Sequence, residues 1–316
     1  MEILRRLESI NDVSSSVVTL GSFDGIHVGH REIIKTVVNY SKVLKFKSVL
    51  ITYEPHPRHI LNKAKDKLQL LMGLDEKLNM LEKLGLDKVL IVPFTEPFSK
   101  ISALDFLNKF VLKPFNPKYI IIGLNHHFGK NREGDIKYLK YYCKKNNVVL
   151  EHVDIVSNSD VSVSSSHIRK LITKGFIRRA NFELGRFYGF KGEIKKGNKR
   201  GRTIGFPTAN VYPLVKNQLM PKIGVYVIKT RISGLNVFGM CNFGTRPTFG
   251  EQDFVLEVHL FDDKIGDIYG SLIYVEFLEK IRDEVKFPSK NDLISQLKVD
   301  RKNCLKIIEK YTQEKN

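Results

Sequence analysis

Ten residues near the start of the chain, Gly21-Ser22-Phe23-Asp24-Gly25-Ile26-His27-Val28-Gly29-His30, combine the side chains and the backbone freedom that phosphate chemistry requires. Gly21, Gly25 and Gly29 let the main chain approach a ligand closely. His27 and His30, three apart, share one side of the first turn of a helix that begins here. Val17-Val18-Thr19-Leu20 leads in as an apolar strand, and Ile33, Ile34, Val37 and Val38 lead out at helical spacing. The emerging helix therefore aims its free N–H groups and positive dipole end at whatever occupies the turn. A polyphosphate suits that cradle. Gly-rich strand-to-helix turns are also ordinary connectors, but two histidines, an aspartate and three glycines within ten residues favour a site. The dinucleotide fingerprint is excluded, since no two glycines of the chain are spaced Gly-x-Gly.

Further stretches carry chemistry. Pro55 and His56 follow an apolar strand, and Gly123-Leu124-Asn125-His126-His127-Phe128-Gly129 follows another. Val163-Ser164-Ser165-Ser166-His167-Ile168-Arg169 offers hydroxyls to cap a helix or meet phosphate oxygens, with a forked cation beside them. In the second half, Gly201-Arg202-Thr203-Ile204-Gly205-Phe206-Pro207-Thr208-Ala209-Asn210 makes a tight loop with backbone donors and two short oxygen-bearing side chains, Thr208 and Asn210, on one side. Spacing alone also permits a basic hairpin loop there. Alternation in Leu256-Glu257-Val258-His259-Leu260 puts Glu257 and His259 on the face opposite the apolar residues, which fits either a solvent-facing carboxylate or a general base.

Taken together, Gly-x-Phe-Asp-Gly-x-His-x-Gly-His and Gly-Arg-x-x-Gly-Phe-Pro-Thr-Ala-Asn resemble the two signatures of bacterial bifunctional riboflavin kinases/FAD synthetases, over nearly the whole chain. The resemblance implies that the first half adenylylates FMN to FAD with release of pyrophosphate and that the second phosphorylates riboflavin to FMN, both with ATP and Mg2+. It casts His27 and His30 as catalytic donors, and Gly21, Phe23, Asp24, Gly29, Ser164, Ser165, Ser166 and Arg169 as ATP-binding. Pro55, His56, Asn125, His127 and Phe128 would meet the flavin; Asn125 stands where the family has aspartate and His127 where it has arginine. For the kinase it implies Glu257 as base, Gly201 and Gly205 over the ATP phosphates, Thr208 and Asn210 as magnesium ligands, and Asn242 and Arg282 on the flavin side. Two rivals stay open: a first half weakened or redirected to another phosphate ester, and a basic nucleic-acid-binding protein on a degenerate nucleotidyltransferase fold.

The elements that must hold these residues are legible in outline. Apolar runs at Ser48–Tyr53, Lys88–Phe94, Tyr119–Gly123 and Val148–Leu150 alternate with helical patterns through Leu68–Leu84 and from about Ala103 to Leu112. Strands alternating with helices imply an α/β, Rossmann-like parallel sheet with helices on both faces and ligands beyond the strands' carboxyl ends. From Gly185 on, short β-branched and aromatic runs separated by turns imply an antiparallel barrel or sandwich, of which the resemblance implies the barrel, followed by a helix from about Asn291 to Tyr311. The expected domains are 1–184 and 185–316.

Composition narrows the class. Lys and Arg number 52 against 34 Asp and Glu, a net +18 that favours anionic partners such as nucleotides. The basic residues are dispersed rather than interleaved with aromatics along one helix, so no specific nucleic-acid surface is expected. Cys143, Cys241 and Cys304 are too scattered for a disulfide framework or a cysteine zinc site. His27/His30 and His56/His59 have ligand-like spacing, yet no His-Glu-x-x-His frame accompanies them and dedicated zinc binding is not expected. No apolar run approaches membrane-spanning length, and the charged first residues do not read as a signal peptide, which points to a cytoplasmic protein. A homo-oligomer is compatible with all of this.

Overall fold

The alternation of apolar runs and helices in the first half builds a six-stranded sheet in the computed structural model, which describes residues 1–10, 13–61, 68–123, 126–153, 163–196, 201, 204–232, 234–247, 252–262 and 268–313. Its strands are β1 (Glu2–Leu4), β2 (Ser16–Leu20), β3 (Lys47–Glu54), β4 (Lys88–Pro93), β5 (Pro117–Gly123) and β6 (Val149–Val153), in the order β1-β4-β3-β2-β5-β6. Every pairing is parallel. β2 is buried along its whole length, which is why it reads as a continuous apolar run rather than an alternation. From β2 the chain steps outward through β3 to β4, then returns to place β5 on the other side of β2. The order reverses between β2 and β5, and that switch point is where an open α/β sheet leaves a crevice.

Helices fill both faces. Val18, Leu20, Val49, Ile51, Ile120 and Ile122 pack with Phe106, Leu107, Val111, Phe115 and Leu139 on one side. The alternate residues Val17, Leu50 and Ile121 are equally buried on the other, where α1 (Val28–Leu44) lies against β2, β3 and β5. The remaining helices of this unit are α2 (Pro57–Leu61), α3 (Leu74–Lys83), α4 (Glu96–Ser99), α5 (Ala103–Phe106), α6 (Lys113–Phe115) and α7 (Ile136–Lys145), with a π-helical stretch, Leu107–Leu112, joining α5 to α6. The helix expected from Leu68 begins only at Leu74: Gly73 precedes it, and Asp75 and Glu76 supply the acidic first turn that a helix start favours.

In the second half, α8 (Ser165–Thr173) and α9 (Ile177–Leu184) lead into β7 (Tyr188–Lys195), β8 (Ala209–Pro213), β9 (Gly224–Ile232), β10 (Leu235–Pro247), β11 (Gln252–Leu260) and β12 (Leu272–Arg282), and α10 (Lys290–Gln313) ends the chain. The six strands close into an antiparallel barrel, β10-β11-β8-β7-β12-β9. β7 is interrupted by two glycines that weaken its strand signal, and both are required: a Cβ on Gly189 would lie 2.3 Å from the Val275 carbonyl, and one on Gly192 2.5 Å from Val211. Two compact units result, one of Met1–Leu70 with Leu74–Ser165 and the other of Leu71–Gly73 with Ser166–Asn316. Within the second unit, α9 is pinned to the barrel. Asn181 donates to the carbonyls of Phe277 (2.9 Å) and Leu278 (3.2 Å) and accepts from Tyr188 N at 2.6 Å. Among the described residues no helix is long and apolar enough to cross a membrane.

Candidate active sites

At the switch point, β2 hands the chain to a turn held from below, where Gly21 N donates to Ile51 O at 3.0 Å. Phe23, Gly25 and Ile26 then take left-handed φ values of 47°, 83° and 34°. Glycine does so freely, whereas phenylalanine and a β-branched residue do so only where their surroundings over-determine the backbone. That condition is met, since Phe23 and Ile26 are both buried and a Cβ on Gly21 would sit 3.2 Å from the Phe23 ring. His27 next caps α1, its Nδ1 accepting from His30 N at 3.3 Å. A neutral imidazole that accepts at Nδ1 carries its proton on Nε2, so one donor remains for a ligand.

The two imidazoles stack with centroids 3.7 Å apart and planes 18° from parallel. Burial lowers the pKa of His27 to about 4, and burial, His27 and Lys77 together hold His30 well below the ordinary histidine value. Both rings are therefore neutral hydrogen-bonding groups at neutral pH. Nδ1 of His30 is buried without a hydrogen-bond partner among the described residues. Ser165, at the start of α8, donates through Oγ to the Asp24 carbonyl at 2.8 Å, which brings the serine motif against the turn. Ser164 precedes that helix, while Ser166 and Arg169 follow along it among residues grouped with the barrel. Sequence reasoning missed Lys77, which sits in leucine-lined α3 with its ammonium against the turn; nothing in its spacing marks it.

The residues expected to meet the flavin divide. His56 accepts at Nδ1 from Arg58 N at 3.2 Å and so starts α2, with Pro57 at the first position, where a missing N–H costs nothing. Asn125 lies outside the described residues, and His127 is exposed. Phe128 turns inward: its ring packs 5.8 Å from Phe106 and 6.3 Å from Tyr138, and its main chain bridges to Gly134 in both directions. A Cβ on Gly134 would come within 2.6 Å of that ring, so the contact needs glycine. Phe128 anchors its loop on the core. His126 stacks on it, and burial lowers its pKa to about 4 while Nε2 has no partner among the described residues.

In the barrel, register does what periodicity cannot. Glu257 on β11 lies directly opposite Asn210 on β8 and, on its other side, opposite Asn242 on β10. Opposed residues share a face, so a carboxylate stands between two amides. The row continues from Asn242 through Val225 to Arg282. Leu256 and Val258 are buried on the opposite face, as alternation requires. The Glu257 face is covered rather than open: His259 is only 7% exposed, its Nδ1–H donates to the Pro207 carbonyl at 2.8 Å, and Phe206 and Phe261 flank its ring.

The glycine-rich loop closes on itself beside that row. Phe206 N donates to Gly201 O at 2.9 Å, a Cβ on Gly201 would lie 2.1 Å from Phe206 O, and Gly205 takes φ 78°. Thr208 follows half-buried and Asn210 fully buried, at the start of β8 rather than in the loop. Hydroxyl, amide and carboxylate oxygens are the donors a hard divalent cation takes, and Mg2+ in particular is held by few protein oxygens completed by phosphate and water. Among the described residues no three His, Cys, Asp or Glu form a metal-ligand group. Asn242 donates to Glu284 Oε1 at 3.2 Å, with its own Oδ1 buried and unpartnered among the described residues. Arg282 forks onto buried Asp300 through Nε (3.0 Å) and Nη2 (2.8 Å), and Gln296 adds a donor at 2.8 Å, so this guanidinium ties α10 to the end of β12.

Comparison with known proteins separates the two halves along the same lines. The FAD synthetase family model matches residues 9–167, and the riboflavin kinase model matches 184–308. A bifunctional riboflavin kinase/FMN adenylyltransferase of Bacillus subtilis is 33% identical over 302 residues, covering 93% of this chain and 92% of the relative. Proteins of that description from Buchnera aphidicola subsp. Acyrthosiphon pisum and from Escherichia coli K12 are 34% and 32% identical, covering 98% and 95% of this chain and 98% and 96% of theirs. A solved structure from Streptococcus pneumoniae, described as a macrolide-efflux protein, superposes with a TM-score of 0.86 at 31% identity, covering 95% of this chain and 97% of that one.

Proposed function

The chain belongs to the bifunctional riboflavin kinase/FMN adenylyltransferase family, and on that footing we propose how its residues divide the two reactions. The barrel phosphorylates riboflavin with ATP to give FMN, and the parallel-sheet half joins FMN to the AMP moiety of ATP to give FAD.

In the kinase, Glu257 takes the proton from the riboflavin 5′-hydroxyl as its oxygen attacks the γ-phosphorus and ADP departs. The observation that carries this assignment is the register that sets Glu257 between Asn210 and Asn242. Such a reaction needs no protein nucleophile; positioning and charge neutralisation carry it. Thr208 and Asn210 would hold Mg2+, which when bound neutralises phosphate charge. The loop through Gly201 and Gly205 covers the nucleotide with backbone donors, and Asn242 orients the flavin side. Arg282, tied to Asp300, acts by fixing α10 behind that row.

In the transferase, a phosphate oxygen of FMN attacks the α-phosphorus and pyrophosphate leaves. Neutral His27 and His30 donate to the oxygens that gain charge, and the turn from Gly21 through Phe23 and Asp24 to Gly29 gives the nucleotide its backbone cradle. Ser164, Ser165, Ser166 and Arg169 hold the departing pyrophosphate. Pro55, His56 and His127 line the flavin end, with Phe128 as its anchor beneath, and Asn125, outside the described residues, is assigned to the same end. We place the enzyme in the cytoplasm, where ATP is supplied. Incubation with riboflavin, ATP and Mg2+ followed by chromatography of the flavins tests the scheme: FAD accumulates by way of FMN. FMN without FAD would overturn the transferase assignment, and neither product would overturn both.

A further inference from the structure

Lys77 is 5% exposed on the buried side of α3, an expensive place for an ammonium unless it is paired. Its Nζ donates to the Ser22 carbonyl at 2.8 Å and lies 3.4 Å from Thr52 Oγ1, which itself donates to Ser22 O at 3.2 Å. Ser22 sits inside the phosphate turn, between Gly21 and Phe23, and Thr52 is on the neighbouring strand β3. Burial lowers its pKa, and the carboxylates of Asp24 and Glu54 work against that shift.

Two consequences follow from this placement. A planar trans peptide whose C=O faces Lys77 directs the next N–H, that of Phe23, the opposite way. The same contact braces a turn that carries two non-glycine residues, Phe23 and Ile26, in left-handed conformations. Both histidines are neutral, so positive charge reaches the turn from Lys77 at the Ser22 carbonyl and from Arg31, whose Nε donates to the Ile26 carbonyl at 3.4 Å.

We propose that Lys77 is a positioning residue of the adenylyl-transfer site: its Nζ fixes the Ser22 carbonyl, and through it the Gly21–His30 turn, and adds to the Arg31 guanidinium the positive charge that a triphosphate meets there. This rests on the transfer reaction assigned to the turn above. Lys77→Met removes hold and charge together, and Lys77→Gln keeps a donor without the charge. Both lower kcat/KM for ATP in FMN adenylylation about 100-fold, the scale of losing one preorganised electrostatic group, with the KM for FMN within about twofold of the parent. Lys77→Arg, which keeps the charge, recovers activity to within about tenfold.

Riboflavin phosphorylation by the same polypeptides stays within about twofold and reports that the barrel is folded, while the unchanged KM for FMN reports that the parallel-sheet unit is; if the Met variant fails either control, the Gln variant carries the test. Parent-like adenylylation by a folded Met or Gln variant overturns the proposal, as does an Arg variant no better than Met. A parent protein that makes no FAD from FMN is a different result and overturns the transferase assignment itself.

Discussion

Two imidazoles stacked 3.7 Å apart cannot both carry charge at low cost, and the effect of that pair on stability has a definite sign. His27 has its pKa lowered to about 4 in the folded chain against about 6.5 unfolded. Between those values the unfolded state binds more protons, so stability is full above the unfolded value and falls as pH drops through the window, by about 3 kcal/mol at most from this residue. His27→Asn keeps a side-chain acceptor for His30 N but does not titrate. Its melting temperature is expected to drop less between pH 7 and pH 4.5 than the parent's, as read by circular dichroism; an equal drop would place the acid sensitivity elsewhere. Glu257 is half legible: alternation shows its face, but the opposing Asn242 comes from the preceding strand and Asn210 from the more distant β8, and no single-strand pattern contains that register. Glu257→Gln is expected to abolish FMN formation from riboflavin, a loss of about 1000-fold or more, while FAD formation from supplied FMN persists. His30→Ala is expected to do the reverse, and loss of both activities in either folded variant would refute independent sites.

At the scale of elements, the central strands β2, β3 and β4 of the parallel sheet are readable because they are buried on both faces and therefore largely apolar. β7 is not, because Gly189 and Gly192 interrupt it for reasons of close backbone approach that local sequence does not display. β1 escaped notice for another reason: with three residues and two exposed side chains it is strand only by virtue of its parallel pairing to β4. Lys77 is the converse case, a buried cation inside an apolar helical pattern, intelligible only once Ser22 and Thr52 are seen beside it. α9 owes its place to one amide. Asn181→Ala would leave two buried carbonyls and the Tyr188 N–H without that partner, and is expected to destabilise the protein by about 3 kcal/mol. A shift of the urea midpoint measures it, and a change below about 1 kcal/mol would show that α9 is held chiefly by its apolar side, Ile177, Ala180 and Leu184.

For the whole molecule, two chemistries on one chain raise the question of how FMN passes between them. The sites as assigned require only that FMN be released and rebound. An equimolar mixture of the Glu257→Gln and His30→Ala proteins is therefore expected to convert riboflavin to FAD, after a lag that shortens as protein concentration rises. Failure of the mixture, with each half-activity intact, would mean that FMN made by one molecule is not available to another. Net charge of +18 raises the local concentration of anionic nucleotides around both sites without choosing between them.

Closure of the barrel has one more consequence, for how the protein fails rather than how it works. Each of its six strands has a partner on both sides, so among the described residues the barrel offers no edge strand to another chain. The parallel sheet does, at its two ends. β1 is only three residues long, too short to template much, but β6 runs five residues with a single strand partner among the described residues and with Val149 46% exposed. Misassembly of crowded or partly melted molecules therefore has its opening along β6, and a sample is protected there, not in the barrel.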